Sequence, residues 1–497
     1  MMTSTHDQAM NYVYQQMLQR LLGFFSRAER TALQLLIQRL VMSAGGLERI
    51  GEYKVLSIQS GSRDSCYTLA LLRAAQLSIA GRAPATFQLR VATLRLNGTA
   101  SAALENIHRS CCALFLYDDP RVEVLMVDNR EVLPFNHLAP ISEAGRESNR
   151  LNLLMVGHRR AWDGPLDLWD DGYLATGEFY GQIARWNQGV DALISSDTPR
   201  RQKQFLEGLN RAAAKAGLKA PDRHETGYEC LFTRLDELGC DCYREFYPEF
   251  AQAAWRPAEH FEACRRTTFI DIHDMLVRNL EERWPLLTDF LGFQPDELSA
   301  QLSDNDYVSL SISAHLRGLQ ACFVQGRRYE EGIDEYLQRA LVMMRRKHVP
   351  ERFCEQAVET FANPMTKTDQ RALAAAEAQK SLGLSEAQLV CLLFAPFVDN
   401  GAVLEHFLRQ CHPGMLVALP DLHRAMQGGP APEQVLQWMV DVSGLPVSLI
   451  GTLYRMGPVV RNEVGALGMG SAEEDGQAEF VEPGSETTVA GEWSTCR

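Results

Sequence analysis

YKVLSIQSGSRDSCYTLALLRAAQLSI, residues 53–79, reads as strand, polar turn and helix in succession. Tyr53 to Ile58 is a short apolar run of strand length, and Ser65 to Ile79 repeats its apolar residues at helical spacing. A strand that enters a helix through a tight polar turn is a unit of α/β architecture. On its N-terminal side, residues 7–44 read as two helices. Ser26 with Glu29 three residues later is a capping box that starts the second, and Leu33, Leu36, Ile37, Leu40 and Val41 keep the helical period. Gly45-Gly46 ends it. Residues 1–50 are therefore expected to form a helical hairpin.

On the C-terminal side, residues 51–173 read as a mixed α/β domain. Phe87 to Leu96 alternates loosely enough for a half-buried strand. Ala113 to Tyr117 and Val122 to Val127 flank Asp118-Asp119-Pro120-Arg121, which predicts a hairpin with turn chemistry in place. Leu151 to Val156 is a further strand candidate. The turn-rich stretch GHRRAWDGPLDLWDDGY, residues 157–173, marks a domain boundary. Beyond it, residues 174–466 read as all helix, in a bundle or irregular α-solenoid. Ser385 with Gln388 forms a second capping box. Gly444 and Gly457 end helices, with Pro446 and Pro458 close behind. The fold class is thus α+β: an N-terminal mixed α/β domain followed by a large all-α region. Residues 467–497, rich in Gly, Ser, Glu and Thr, read as a disordered acidic tail.

The formal net charge of −14 argues against broad binding to nucleic acid or anionic membranes. Only seven of the 49 basic residues are lysine, which points to a GC-rich bacterial genome and makes an arginine cluster weaker evidence for phosphate binding. The twelve cysteines are scattered rather than regularly spaced, as expected of a reducing cytosol. No signal peptide is visible, and the longest apolar run, Leu389 to Val398, is about half a bilayer span. A cytoplasmic, membrane-free protein is expected, with export by a dedicated secretion system left open.

Five motifs bear on function. Ser60-Gly61-Ser62-Arg63-Asp64-Ser65 resembles the PP-loop of ATP pyrophosphatases, Ser-Gly-Gly-x-Asp-Ser. The resemblance implies that Ser60, Gly61, Asp64 and Ser65 sit at the phosphates of ATP, held by amides at a helix N-terminus. Ser62 departs from it, standing where the second glycine allows close backbone approach. The same residues also read as a polar turn in which Asp64 or Ser62 caps the helix. Asp167 to Glu178 resembles an EF-hand calcium loop, which implies Asp167, Asp171 and Glu178 as metal ligands and Gly172 at the sharp turn. Trp169 replaces the third ligand, and Gly164-Pro165 stands where the entering helix belongs.

GLQACFVQGRRYEEGIDEYLQRAL resembles one tetratricopeptide repeat, with Gly332 at the close helix crossing. An ordinary helical hairpin fits it as well. His224, Cys230, Cys240, Cys242, His260, Cys264 and His273 make a thiol- and imidazole-dense region suited to zinc, though without a Cys-x-x-Cys knuckle. Two helix–turn–helix spacings, at Gly383 and Ser443-Gly444, carry second helices too apolar to read DNA. The expected function is a bacterial protein-interaction scaffold whose partners are other proteins. The alternatives are an ATP-binding enzyme built around residues 60–65, and an exported effector or toxin acting on host proteins.

Overall fold

β1 (Lys54–Ile58) is buried along its middle on both faces, as an unbroken apolar run in a central parallel strand requires. The computed structural model describes residues 5–97, 99–129, 131–160, 170–195, 197, 199–215, 218, 231–247, 267–275, 280–294, 310–346, 351–362 and 367–457. Backbone contacts divide the chain into Met1–Val459 and Val460–Arg497. The second unit, with the expected acidic tail, lies outside the described residues.

Five further strands join β1: β2 (Gln88–Leu94), β3 (Val122–Asp128), β4 (Glu131–Pro134), β5 (Ala192–Ser195) and β6 (Thr268–Asp271). Among the described residues they form one sheet in the order β4-β3-β2-β1-β5-β6. β1 lies parallel to both β2 and β5, with Lys54 opposite Gln88 and Ile58 opposite Ala92. The β2–β3 and β5–β6 pairs are also parallel, and β4 runs antiparallel at the edge. Parallel neighbours need crossovers, and helices provide them. α3 (Arg63–Ala80) and α4 (Ser101–Ala113) carry the chain outward from β1 to β3. After β4 it passes through α5 (Glu143–Arg160) and α6 (Asp170–Arg185) back to β5, beside β1. It then runs through α7 (Pro199–Lys215) and α8 (Leu231–Phe246) to β6.

The two winding directions cover the two faces. One face, with Val55, Val91, Met126 and Ile194, shares a core with α1 (Thr5–Phe24), α2 (Arg27–Ser43), α3 and α4. The other, with Leu56, Ala92 and Leu193, meets Phe179 and Ile183 of α6. The capping box of α2 forms as the sequence suggests. Ser26 Oγ accepts from the Glu29 amide at 3.2 Å, and the Ser26 amide donates to Glu29 Oε2 at 2.7 Å. The Tyr67 hydroxyl donates to the other Glu29 oxygen, tying the cap to α3.

Arg73, wholly buried on α3, fastens the turn after α4. It donates to Asp119 Oδ2 at 2.7 Å, to Gln76 Oε1 at 2.6 Å and to the Leu114 carbonyl at 3.1 Å. Arg121 reaches the same carboxylate at 2.6 Å. Burial opposes the charge on Asp119, but Arg121 and Arg73 hold its carboxyl below the ordinary range.

The helical remainder begins with α9 (Leu280–Pro285), which widens into a π turn at Leu286–Phe290. It continues as α10 (Leu310–Leu319), with a π turn at Gln320–Val324, α11 (Tyr329–Arg346), α12 (Glu351–Ala362), α13 (Lys367–Ser381) and α14 (Glu386–Phe394). Then come α15 (Leu404–Cys411), α16 (Leu419–Met426), α17 (Glu433–Ser443) and α18 (Val447–Arg455). Leu154, Leu319, Leu389 and Leu453 belong to a single core, so α5 is part of this helical layer. The tetratricopeptide-like stretch is the α10–α11 hairpin. A Cβ on Gly332 would lie 2.3 Å from the Arg317 carbonyl oxygen, so the close crossing does require glycine. The capping box at Ser385 and Gln388 is formed, and Gly444 closes α17 with φ +73°. Among the described residues no single helix is long and apolar enough to cross a membrane.

The α+β class holds, but three local expectations do not. Leu151 to Val156 is interior to α5; its run is apolar because one side packs on the helical core. Ala113 to Tyr117 is the end of α4 and a turn, and the hairpin is β3–β4. The sheet also continues past residue 173, since β5 and β6 lie in the stretch read as all helix. Four-residue apolar runs cannot be told from helix by periodicity.

His158 on α5 is fully buried against Phe397, and neither ring nitrogen has a hydrogen-bond partner. Burial pulls its pKa down to about 3. A histidine held neutral in the fold stabilises it above the unfolded pKa, and that contribution is lost as pH falls through the window from about 6.5 to about 3. Lowering pH from 7 to 5 should therefore cost the native chain about 2 kcal/mol more than His158→Phe, measured from urea unfolding at both values. Equal pH dependence in the two proteins would sink this account. Arg73→Met should destabilise by about 3 kcal/mol in the same assay, because Asp119 stays buried with half its partners.

Candidate functional site

In a doubly wound sheet, ligands bind beyond the carboxyl ends of the strands, where the winding reverses. Here the reversal lies between β1 and β5. The ladder of β1 runs one residue past the strand, where the Gln59 amide donates to the Ala92 carbonyl at 2.9 Å. Gln59 is therefore set beside Thr93, on the same face. Both are buried. Gln59 Nε2 donates to Ser57 Oγ at 3.0 Å, while Gln59 Oε1 and Thr93 Oγ1 are buried without a hydrogen-bond partner.

Two more such atoms follow immediately after β2. Arg95 donates through Nη2 to the Ala139 carbonyl at 3.4 Å, and its Nε is buried and unpartnered. Burial pulls Arg95 below its ordinary pKa, against the attraction of Asp128, and Arg146 adds to the lowering. Asn97 Nδ2 donates to the Arg146 carbonyl at 2.8 Å, and Asn97 Oδ1 is buried and unpartnered. Each unsatisfied polar atom costs about 1–3 kcal/mol, so four at one end of a sheet form a polar lining suited to a partner molecule. Asp128, at the end of β3, closes the row. It accepts from the Ser142 amide at 2.8 Å and from Ser142 Oγ at 3.0 Å.

The turn after β1 brings Ser60, Gly61, Asp64 and Ser65 together at the start of α3. Gly61 has φ +77°, and a Cβ there would lie 2.3 Å from the Ala103 carbonyl oxygen of α4. Ser62 is the cap: its Oγ accepts from the Ser65 amide at 3.3 Å and from Ser60 Oγ at 3.0 Å. Asp64 points to cations rather than to a phosphate position, 3.0 Å from Arg283 and 3.7 Å from Arg63. The helix cap of the second reading is formed. The serine at the second glycine position occupies an amide that the pyrophosphatase pattern leaves for phosphate.

The calcium-loop residues are not gathered in a loop. Asp167 lies outside the described residues, and Asp171 and Glu178 stand in α6, two turns apart. The stretch needs a sharp turn at Gly172, and α6 runs through it. Of the zinc-suited residues, His224, Cys230, His260 and Cys264 lie outside the described residues. Among the described residues no three His, Cys, Asp or Glu side chains are arranged to hold a metal ion. The second helices of both helix–turn–helix spacings, α14 and α18, are core helices.

Sequence reasoning missed Thr93, Arg95 and Asn97. The available signal was three polar residues alternating at positions 93, 95 and 97, from the end of β2 into the segment after it. Comparison with protein-family models, with curated proteins and with solved structures gives no match for this chain.

Two substitutions separate cap from cradle. Gly61→Ala should lose about 2 kcal/mol or more, from the strained φ and the clash with α4. Ser62→Gly should lose only a few tenths of a kcal/mol, since glycine is a tolerable cap. Thermal unfolding of both variants checks this, and a harmless Gly61→Ala would contradict the close approach of α4.

Proposed function

We propose that this chain binds an anionic nucleotide-class molecule at the carboxyl ends of β1 and β2. The supporting observation is the row of buried, unpartnered polar atoms on Gln59, Thr93, Arg95 and Asn97, beside the point where the winding reverses. Doubly wound sheets that bind dinucleotides present an acidic residue to the ribose hydroxyls after the first glycine turn. Here Arg95 stands at the end of β2, which favours a phosphate or carboxylate on that part of the ligand. The ATP-using enzyme built around residues 60–65 differs from this reading in placing its nucleotide at the turn after β1 and in turning it over.

A second reading gives the helical layer the job of docking other proteins. Val342, Val358 and Leu373, exposed on the successive helices α11, α12 and α13, favour it. The arginine-rich, lysine-poor composition supports a bacterial source for either reading, and the scattered thiols support a cytoplasmic setting.

The test is calorimetric titration of the full chain with ATP, and with adenine dinucleotide with and without a 2′-phosphate. A fragment ending near residue 160 is unsuitable, because it lacks β5 and the α6 cover of the sheet. Saturable heat with at least one probe is expected, weakened about tenfold by Arg95→Met through the loss of one charge-assisted contact. No saturable heat with any probe at millimolar concentration overturns the proposal. Phosphate release under the same conditions would promote the enzyme reading.

A further inference from the structure

We propose that His108 and His137 form a pH-sensitive latch that holds residues 135–142 and, through them, Arg95 and Asp128. This regulation rests on the ligand-site reading given above. The two imidazoles stack face to face across two elements. His108 is on α4, His137 is in the connection from β4 to α5, and their ring centroids are 3.8 Å apart at 18°. His108 is fixed from its other side by the Tyr117 hydroxyl, 3.1 Å from Nδ1, and by Cys112 Sγ, 3.6 Å from Nε2.

The connection that His137 anchors also builds the site. Its Ala139 carbonyl accepts from Arg95, and its last residue, Ser142, donates twice to Asp128. Within it, the Asn136 side chain accepts from the Leu138 amide at 3.0 Å, and the Ala139 amide donates to the Asn136 carbonyl at 3.2 Å. The segment is thus a small folded loop fastened at one end by buried Phe135, whose amide donates to the Val124 carbonyl at 2.9 Å, and by the stack on His108, and at the other to the strand ends.

Neutral rings stack; two imidazolium rings at this spacing repel. Charged and titratable groups of both signs surround His108, with Cys112 on its own helix and the Asp118 carboxylate beyond it. On its own helix Arg109 adds positive charge, and Glu105 is already paired with Arg109 at 2.5 Å. From the turn after α4 come Tyr117 and Asp118, and from the loop comes His137. Burial, then His137 and Arg109, lower the His108 pKa. Charge on both rings in acid opposes the stack. The loop lifts, and Arg95 and Asp128 lose the partners that orient them. By linkage, a ligand that needs those two side chains in place binds more weakly in acid.

The experiment follows amide exchange of residues 135–142 in the full chain at pH 7.5 and 5.0, expressed as protection factors. The native protein, His137→Phe and His108→Gln are compared, with the three nucleotide probes titrated at both pH values. Native protection should fall at least fivefold on acidification, and His137→Phe, which keeps a ring but cannot be charged, should lose less than half of that. Nucleotide affinity should fall by a similar factor in the native chain. Unchanged protection, or an equal fall in His137→Phe, overturns the latch. Affinity that is equal at both pH values while protection falls overturns its control of the site. If no nucleotide binds at either pH the ligand reading fails by itself, and exchange still decides the latch. His108→Gln, which has no ring to stack or to charge, should show low protection at both pH values, and a native-like response from it also counts against the proposal.

Discussion

A parallel strand cannot face water on either side without leaving apolar surface exposed, so β1 and β2 need a helical layer above and another below. Everything else in the N-terminal part answers that requirement. The chain covers one face on its way out to β3 and the other on its way back through β5 to β6. The change of side separates the crossover after β1 from the one after β5, and polar residues collect at the strand ends near that separation. Gln59 and Thr93 are side by side because β1 and β2 are in register.

The start of the domain was legible because its signals are local. Ser26 and Glu29 announce α2, and the run before Gly61 announces β1. Leu151 to Val156 misled because a helix buried on one side and a short strand show the same apolar cluster. β5 and β6 have four residues each, too few to display a period. For the site, residues 60–65 stood out by composition, while Thr93, Arg95 and Asn97 did not. Their meaning depends on which strand lies beside β2 and on what covers it. Neither fact is written near them in the chain.

The turn after β1 shows how one side chain redirects a local motif. With a second glycine at position 62, the first amides of α3 would face outward. Ser62 turns its hydroxyl back onto the Ser65 amide, and Asp64 is drawn to Arg283 instead. The buried polar atoms without partners lie one strand over, on the arginine and amide side chains after β2. The buried Arg73–Asp119–Arg121 group lies farther along α3, against the turn after α4.

α5 begins where Gly145 presses on the Asp128 carboxylate; a Cβ there would sit 2.3 Å from Oδ1. Near its other end Gly157 presses on Leu392 of α14, where a Cβ would sit 2.8 Å away. Its 18 residues make a rod about 27 Å long with no slack at either bearing. A tilt of α5 at the strand ends would therefore be felt at Leu392 and its neighbours among the bundle helices, alongside the contacts that Leu174 and Phe246 make to the same core.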